Sequence, residues 1–318
     1  MLLQLLCLAL GPSEYQTCDI HCTELSLLVS RKRIRTLVII NKSDQNWLNT
    51  SNSRLELRVI DRPHYDEDVP DLILLRHGRS QWNQLNLFTG WHDVDLDAQG
   101  EAEARDAGRL LAESDLDLRI LHTSLLTRAI RTAEISLYQA SRSWLPVRRS
   151  WRLNERHYGD LTGKDKKETA EKFGMDQLKL WRRSYDVPPP PMSAGDPRSN
   201  ALDPRYRDVA PEEIPMTECL KDVVARVTPY FADVIAEDLR REGVKGGAVL
   251  VVAHGNSIRA LRKLLQNIDD DDIAELEIPT GIPYLMKLDD TLDVLEADYL
   301  GDPDAAAAAA EAVARQAG

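Results

Sequence analysis

Two apolar runs of this chain end in the same way. DLILL, Asp71–Leu75, leads into Arg76-His77-Gly78, and AVLVVA, Ala248–Ala253, leads into His254-Gly255-Asn256. A third run, LRILHTS, reaches His122 and continues toward Arg128. Histidine titrates near neutrality, with an ordinary pKa of about 6.5. Arginine presents a planar fork of donors that matches phosphate. A glycine after each histidine lets backbone come close to a ligand. His77 and His254 with Arg76 and Arg128 on one rim would therefore make an anion pocket. Any one of these histidines alone reads as a hydrogen-bonded structural residue, and His122 keeps that reading. His77 and His254 together, each at a strand end and each followed by glycine, read as functional.

These residues share a rim only if their runs are strands of one sheet. Leu72–Leu75 reads as a buried strand, Glu101–Ala112 as an amphipathic helix after a turn at Gly100, and Leu118–Leu121 as a second strand. A helix follows from Leu125 to about Ser141. Ala248–Ala253 has the continuous apolar character of a central parallel strand, Ser257–Leu265 reads as a helix, and Tyr284–Leu288 as a last strand. Strand–helix alternation without hairpin signals predicts a three-layer α/β/α domain with a mainly parallel sheet. In such sheets ligands bind beyond the carboxyl ends of the strands. Val187–Pro215, with Pro188 to Pro191 in succession, reads as a long loop with a functional use. The alanine-rich stretch 304–318 reads as a C-terminal helical tail.

The 318 residues suffice for one or two domains, and 43% hydrophobic with 29% charged residues is a soluble, globular composition. A net charge of −12 argues against nucleic acid or an anionic membrane as partner. The acidic excess lies beyond residue 66. Residues 1–66, with a single alanine (Ala9), read as an N-terminal extension: a disordered leader or a segment foreign to the rest of the chain. Short apolar stretches in it, such as Leu37–Ile40, could still form local structure. Three of the four cysteines, Cys7, Cys18 and Cys22, lie there and only Cys219 lies beyond, which is no disulfide framework and points to a reducing, cytoplasmic setting. Cys18, His21 and Cys22 lack a second ligand pair at zinc spacing, so no metal site is expected. MLLQLLCLAL carries no basic residue ahead of it and no A-x-A pattern after it, which disfavours secretion.

The motifs go further in series. RHGRSQWNQLNLFTGWHDVDL (Arg76–Leu96), HTSLLTRAIRTAE (His122–Glu134), WLPVRRSWRLNERHYGDLTG (Trp144–Gly163), KLWRRSYDVPPP (Lys179–Pro190) and VVAHGNSIRAL (Val251–Leu261) follow in order, then IPTGIPYLMKLD (Ile278–Asp289) and YLGDP (Tyr299–Pro303). RHG after a strand with a later strand-end histidine resembles the histidine phosphatase superfamily. The full series resembles its cofactor-dependent phosphoglycerate mutases, from about Val69 to Pro303, and residues 67–303 are accordingly read as the catalytic domain.

The resemblance implies a set of roles. His77 matches the histidine that carries the phosphoryl group, and a neutral imidazole is a competent nucleophile near pH 7. Arg76, Arg128 and His254 match the residues that hold the phosphoryl oxygens, with Asn83, Gly255 and Asn256 completing the clamp. Glu155 matches the proton donor and acceptor. Tyr158, Lys166, Arg182 and Arg183 match residues that bind the far end of the substrate. Thr89 and Gly90 line the same pocket, and Gly78, Arg79, Ser80, Gln81, Trp82, Arg156 and His157 fall within the matching substrate-binding stretches. The implied activity is interconversion of 3-phosphoglycerate and 2-phosphoglycerate, primed by 2,3-bisphosphoglycerate and without a metal. The partners would be small phosphoglycerates, with a homo-oligomer left open. The Val187–Pro215 loop and the tail are candidate covers that exclude water.

One residue departs from the pattern. Many members have glutamate where Arg79 stands, and this arginine is expected to point outward or pair with a nearby acid such as Asp93 or Asp95. A phosphatase of the same superfamily and a catalytically silent interaction module are the competing readings. The intact Glu155, Tyr158, Lys166 and Arg182-Arg183 set disfavours the first, and the intact His77, Arg76, Arg128 and His254 set the second.

Overall fold

Alternation along two central strands decides the layering. In β1 (Asp71–Arg76) and β4 (Ala248–Ala253) successive side chains face opposite sides of the sheet, and both sides are apolar. Leu72, Leu74, Val249 and Val251 join one core, whereas Ile73, Leu75, Leu250 and Val252 join another. A sheet apolar on both faces must be covered on both, and that is the three-layer α/β/α arrangement. The computed structural model describes residues 70–193, 195–243 and 246–315. The expectations for residues 1–66, including the apolar leader, Leu37–Ile40 and Cys7, Cys18 and Cys22, lie outside the described residues.

The other strands are β2 (Leu118–Thr123), β3 (Val147–Arg149), β5 (Tyr284–Leu288) and β6 (Val294–Tyr299), and the sheet order is β3-β2-β4-β1-β5-β6. The first four in that order are parallel, and β5 and β6 run antiparallel at the far edge. Helices α1 (Ala98–Glu113) and α2 (Thr127–Gln139) cover one face. Two short helices, α3 (Lys166–Phe173) and α4 (Met175–Arg183), belong to a long excursion between β3 and β4. The opposite face is covered by α5 (Leu220–Tyr230), α6 (Ala236–Gly243) and α7 (Gly255–Gln266). The tail forms α8 (Pro303–Arg315). No helix among the described residues is long and apolar enough to cross a membrane.

Two local readings are corrected. Gly100 is not a turn before α1 but lies inside it: the Asp97 side chain caps the helix by accepting from the Gly100 N–H at 2.8 Å. A hairpin does occur, between β5 and β6, where the Asp289 carboxylate accepts from the N–H groups of Thr291 and Asp293, both at 2.9 Å. The described residues of the proline-rich stretch form a loop with single turns at Asn200–Leu202, Pro204–Tyr206 and Pro211–Glu213, in which buried Tyr206 packs 4.8 Å from Trp91.

Candidate active site

Strand register brings the two histidines together. Arg76 lies opposite Ala253 in the β1–β4 ladder, and the His77 N–H donates to the Ala253 carbonyl at 2.9 Å. His77 and His254 therefore leave the sheet side by side, with ring centroids 4.9 Å apart in an edge-on arrangement. Both are buried. The His77 Nδ1 sits 2.7 Å from the Gly78 carbonyl oxygen. A carbonyl only accepts, so Nδ1 carries the proton and Nε2 keeps its lone pair. Burial, then Arg128 and Arg76, push the His77 pKa well below the usual histidine range, so the ring is neutral at pH 7. Burial, Arg128 and His77 do the same to His254, whose Nε2 lies 2.8 Å from the Ser124 hydroxyl.

The arginines are held by backbone rather than by carboxylates, which leaves their charge available. Arg128 donates from Nη2 to the Gly90 carbonyl at 2.8 Å and from Nη1 to that of His92 at 3.2 Å, with Nε 3.3 Å from the His77 Nε2. Burial lowers its pKa to about 10, so it remains a cation. Arg76 donates from Nη1 to the Ile278 carbonyl at 2.6 Å, and its buried Nε has no partner. The turn that presents His77 is fixed from below. The Gly78 N–H donates to the Thr132 hydroxyl at 3.0 Å, and a Cβ on Gly78 would meet the Gly100 carbonyl oxygen at 2.2 Å. Only glycine permits this contact.

Glu155 stands across the pocket on the segment after β3. Its Oε1 accepts from the Asn256 side-chain amide at 2.7 Å, the Asn256 N–H at 3.3 Å and the Arg156 N–H at 2.7 Å. A Cβ on Gly255 would lie 3.7 Å both from the Arg76 guanidinium carbon and from the Glu155 Oε2. That glycine thus leaves space between one clamp residue and the outer carboxylate oxygen. The Asn256 amide, expected to face a ligand, is spent on Glu155.

Cationic groups line the far side. Lys166 is buried at the start of α3, and burial, then Arg182 and Arg76, lower its pKa to about 7. Arg156 is fully buried; its Nη2 donates to the Arg182 carbonyl at 2.6 Å and it stacks over the Tyr158 ring at 4.8 Å, while Nε and Nη1 have no partner. Burial lowers the Arg182 pKa to about 10. Arg183 pairs with Glu277 and keeps a buried, unpartnered Nη1. The Thr89 hydroxyl, also buried, is another unmet group. Unpartnered buried donors on Arg76, Arg156 and Arg183 fit a compact polyanion such as a bisphosphorylated glycerate, because desolvated arginines lacking acceptors are costly until an anion supplies them.

Other predicted residues have local duties. Arg79 pairs through Nε with Asp97 at 2.5 Å, not with Asp93 or Asp95. Asp93 instead accepts from Thr127, and Asp95 pairs with Arg131. The Asn83 Oδ1 accepts from the Ser80 N–H at 3.1 Å and closes a capping box. Trp82 stacks on His92 at 4.1 Å, and Gln81 is exposed. His157 accepts from the Gly159 N–H through Nδ1 at 3.0 Å, and burial lowers its pKa to about 4. His122 stands apart, on Tyr230 at 3.1 Å and Asp238 at 3.0 Å. Sequence reasoning passed over Ser124 and Thr132, which hold His254 and the Gly78 amide. It also passed over Arg259, whose Nη1 reaches the Asn256 Oδ1 at 3.4 Å. Ser124 and Thr132 lie within the HTSLLTRAIRT stretch, which was their one signal. Among the described residues no group of three or more His, Cys, Asp or Glu is placed to hold a metal ion.

Adjacent parallel strands that deliver two histidines and an arginine clamp to one rim define a phosphoryl-handling class. Residues 72–291 match the model of the histidine phosphatase superfamily, branch 1. The chain is 59% identical over 245 residues to the 2,3-bisphosphoglycerate-dependent phosphoglycerate mutase of Leifsonia xyli subsp. xyli, with 77% of this chain and 96% of that protein covered. It is 54% identical over 248 residues to phosphoglycerate mutase 1 of Saccharomyces cerevisiae, with 78% and 99% covered. A mycobacterial glucosyl-3-phosphoglycerate phosphatase superposes with a TM-score of 0.55 at 24% identity, covering 72% of this chain and 98% of that one, a likeness that bears on the fold alone. The chain belongs to the histidine phosphatase superfamily and, within it, to the 2,3-bisphosphoglycerate-dependent phosphoglycerate mutases.

Proposed function

We propose that the chain interconverts 3-phosphoglycerate and 2-phosphoglycerate, an isomerisation of glycolysis and gluconeogenesis, through a phosphohistidine at His77. The observation that carries the reading is the His77 ring held at Nδ1 by the Gly78 carbonyl, with its Nε2 3.3 Å from the Arg128 Nε. When bound, 2,3-bisphosphoglycerate supplies the phosphoryl group that primes His77, and Arg76, Arg156, Lys166, Arg182 and Arg183 would hold it. As an enzyme of glycolysis, the chain would work in the cytoplasm.

In the forward direction the 2-hydroxyl of 3-phosphoglycerate attacks phosphorus, the P–N bond to His77 breaks, and Glu155 takes the hydroxyl proton. In the return transfer Nε2 attacks the 3-phosphoryl group, the P–O bond breaks, and Glu155 gives the proton to the leaving oxygen. The product is then 2-phosphoglycerate. Charge on the equatorial oxygens is met by Arg76, Arg128 and His254, so catalysis is mainly positioning and electrostatics. His254 is neutral at pH 7 and acts there as a hydrogen-bonding group rather than a cation.

A coupled assay of 2-phosphoglycerate formation, with and without 2,3-bisphosphoglycerate and with EDTA present, tests this. Stimulated isomerisation that survives chelation is the expected result. Release of free phosphate without isomerisation would establish a phosphatase instead, and no turnover would leave a silent module. His77→Ala should abolish the acid-labile phosphoenzyme; labelling that persists at another histidine would overturn the choice of nucleophile.

A further inference from the structure

The segment that carries Glu155 belongs to no strand, so its peptide groups need other partners. Some lie within the segment and in β2, and three come from one buried ion pair. Glu218 lies just before α5 and Arg226 within it, with side chains only 4% and 7% exposed. The two meet fork to fork, Nε to Oε1 at 2.7 Å and Nη2 to Oε2 at 3.1 Å. Each reaches on to the loop. Arg226 donates from Nη1 to the Arg152 carbonyl at 2.6 Å and from Nη2 to the Glu155 carbonyl at 3.0 Å. Glu218 Oε2 accepts from the His157 N–H at 2.8 Å, and its own N–H donates to the His157 carbonyl at 2.9 Å.

The three side-chain contacts bracket Glu155: one carbonyl before it, its own carbonyl, and the N–H two residues after it. Asn256 meanwhile holds the carboxylate at Oε1. The residue is thus fixed at its backbone from one side and at its side chain from the other. We propose that Glu218 and Arg226 are positioning residues for Glu155, setting where its free oxygen meets the substrate hydroxyl; this rests on the proton-transfer role given to Glu155 above. A hydrophobic pair of equal volume would fill the same space, but it would leave these peptide groups unmet and the loop free to shift. Proton transfer is sensitive to such a shift, because a misplacement of about 1 Å costs on the order of a hundredfold in rate.

The test uses the full-length chain and two variants that keep the charges, Glu218→Asp, which shortens the reach, and Arg226→Lys, which removes the fork. Glu218→Gln is a third, and thermal melting of each reports folding. Each conservative variant should lower kcat by about tenfold to a hundredfold with KM changed less than about threefold. Each is then combined with Glu155→Gln. If the pair acts through Glu155, the combined variants should lose less than about twofold beyond Glu155→Gln alone. Full additivity, or a loss confined to KM, would overturn the proposal, as would wild-type kcat in both conservative variants. Failure of the wild-type chain to isomerise phosphoglycerate would instead overturn the functional reading itself. Should Glu218→Gln not fold, the charge-conserving variants still decide the matter.

Discussion

Replacing Gly78 with alanine perturbs His77, the proposed nucleophile, without touching its ring. The added Cβ would sit 2.2 Å from the Gly100 carbonyl oxygen and 2.9 Å from the Gly100 Cα, where ordinary contact begins at 3.4 Å. The shortfall exceeds an ångström, and the opposing atoms are backbone at the N-terminus of α1, which cannot swing aside. The turn after His77 must move, or α1 must. Overpacking of this kind costs about 1–3 kcal/mol, which for a domain of this size lowers Tm by roughly 2–4 °C per kcal/mol. The larger effect falls on rate. The His77 Nδ1 is fixed by the Gly78 carbonyl, so a shift of that peptide turns the ring and moves Nε2 off the phosphoryl line. Displacement by about 1 Å should lower kcat on the order of a hundredfold. Stopped-flow phosphorylation of the enzyme, read beside a melting curve, separates the two effects. Gly100→Ala makes the same collision from the other side, with its Cβ 2.0 Å from the Arg79 carbonyl oxygen, and should behave alike. An alanine variant that phosphorylates His77 at the wild-type rate would refute the argument, whatever its Tm.

Substrate affinity should depend on pH through Lys166. Its pKa near 7 leaves it charged below that value, so the Kd for 3-phosphoglycerate should rise as pH increases above 7, and Lys166→Met should bind more weakly with that dependence flattened; titration calorimetry between pH 6.5 and 8.5 checks it. Stability should fall on the acid side. The folded pKa of His157 is depressed to about 4, so the unfolded chain binds the extra proton first, and stability present above about pH 6.5 is lost as pH falls toward 4. His157→Gln should remove roughly 3 kcal/mol or less of that loss in urea titrations at pH 7 and pH 4.5, and an unchanged slope would contradict it. A chain starting near Asp66 should keep its Tm and kcat; a large drop in either would show that residues 1–66 support the domain.

What could be read from the sequence follows from how strongly each element was constrained. β4 and β5 were legible to the residue, and β1 nearly so. β6, with Glu296 and Asp298 among its residues, has too little apolar character to announce itself, and β3 is three exposed residues at the sheet edge. His77 and His254 were legible because each ends an apolar run and precedes glycine. Arg128 followed from its place after β2. Glu155 was recoverable only through the resemblance, since an acid in an irregular segment carries no local signal. Glu218, Arg226 and Arg259 were invisible, because the peptide groups they hold, those of Arg152, Glu155, His157 and Leu276, lie on other segments and are reached only when α5 and α7 pack. Arg79 shows the opposite limit: a charge partner was foreseen, but α1 starts earlier than read, and its cap Asp97 took the place of Asp93 or Asp95.

The two halves of the site belong to parts of the chain that should open at different free energies. His77 leaves two central strands buried on both faces, and its amide is the next rung of the β1–β4 ladder, so that corner should exchange hydrogen only with global unfolding. Glu155, Lys166, Arg182 and Arg183 sit on the excursion between β3 and β4, built of short helices, single turns and loop. If that excursion opens alone, the His77 corner proposed to carry the phosphoryl group stays intact while the groups proposed to grip a glycerate swing away. Water then meets a phosphohistidine that has no acceptor. The rate of futile hydrolysis would be governed by the local stability of residues 151–216 rather than by any catalytic group, and denaturant far below the unfolding midpoint should raise hydrolysis before the β1–β4 ladder loses its hydrogen-exchange protection.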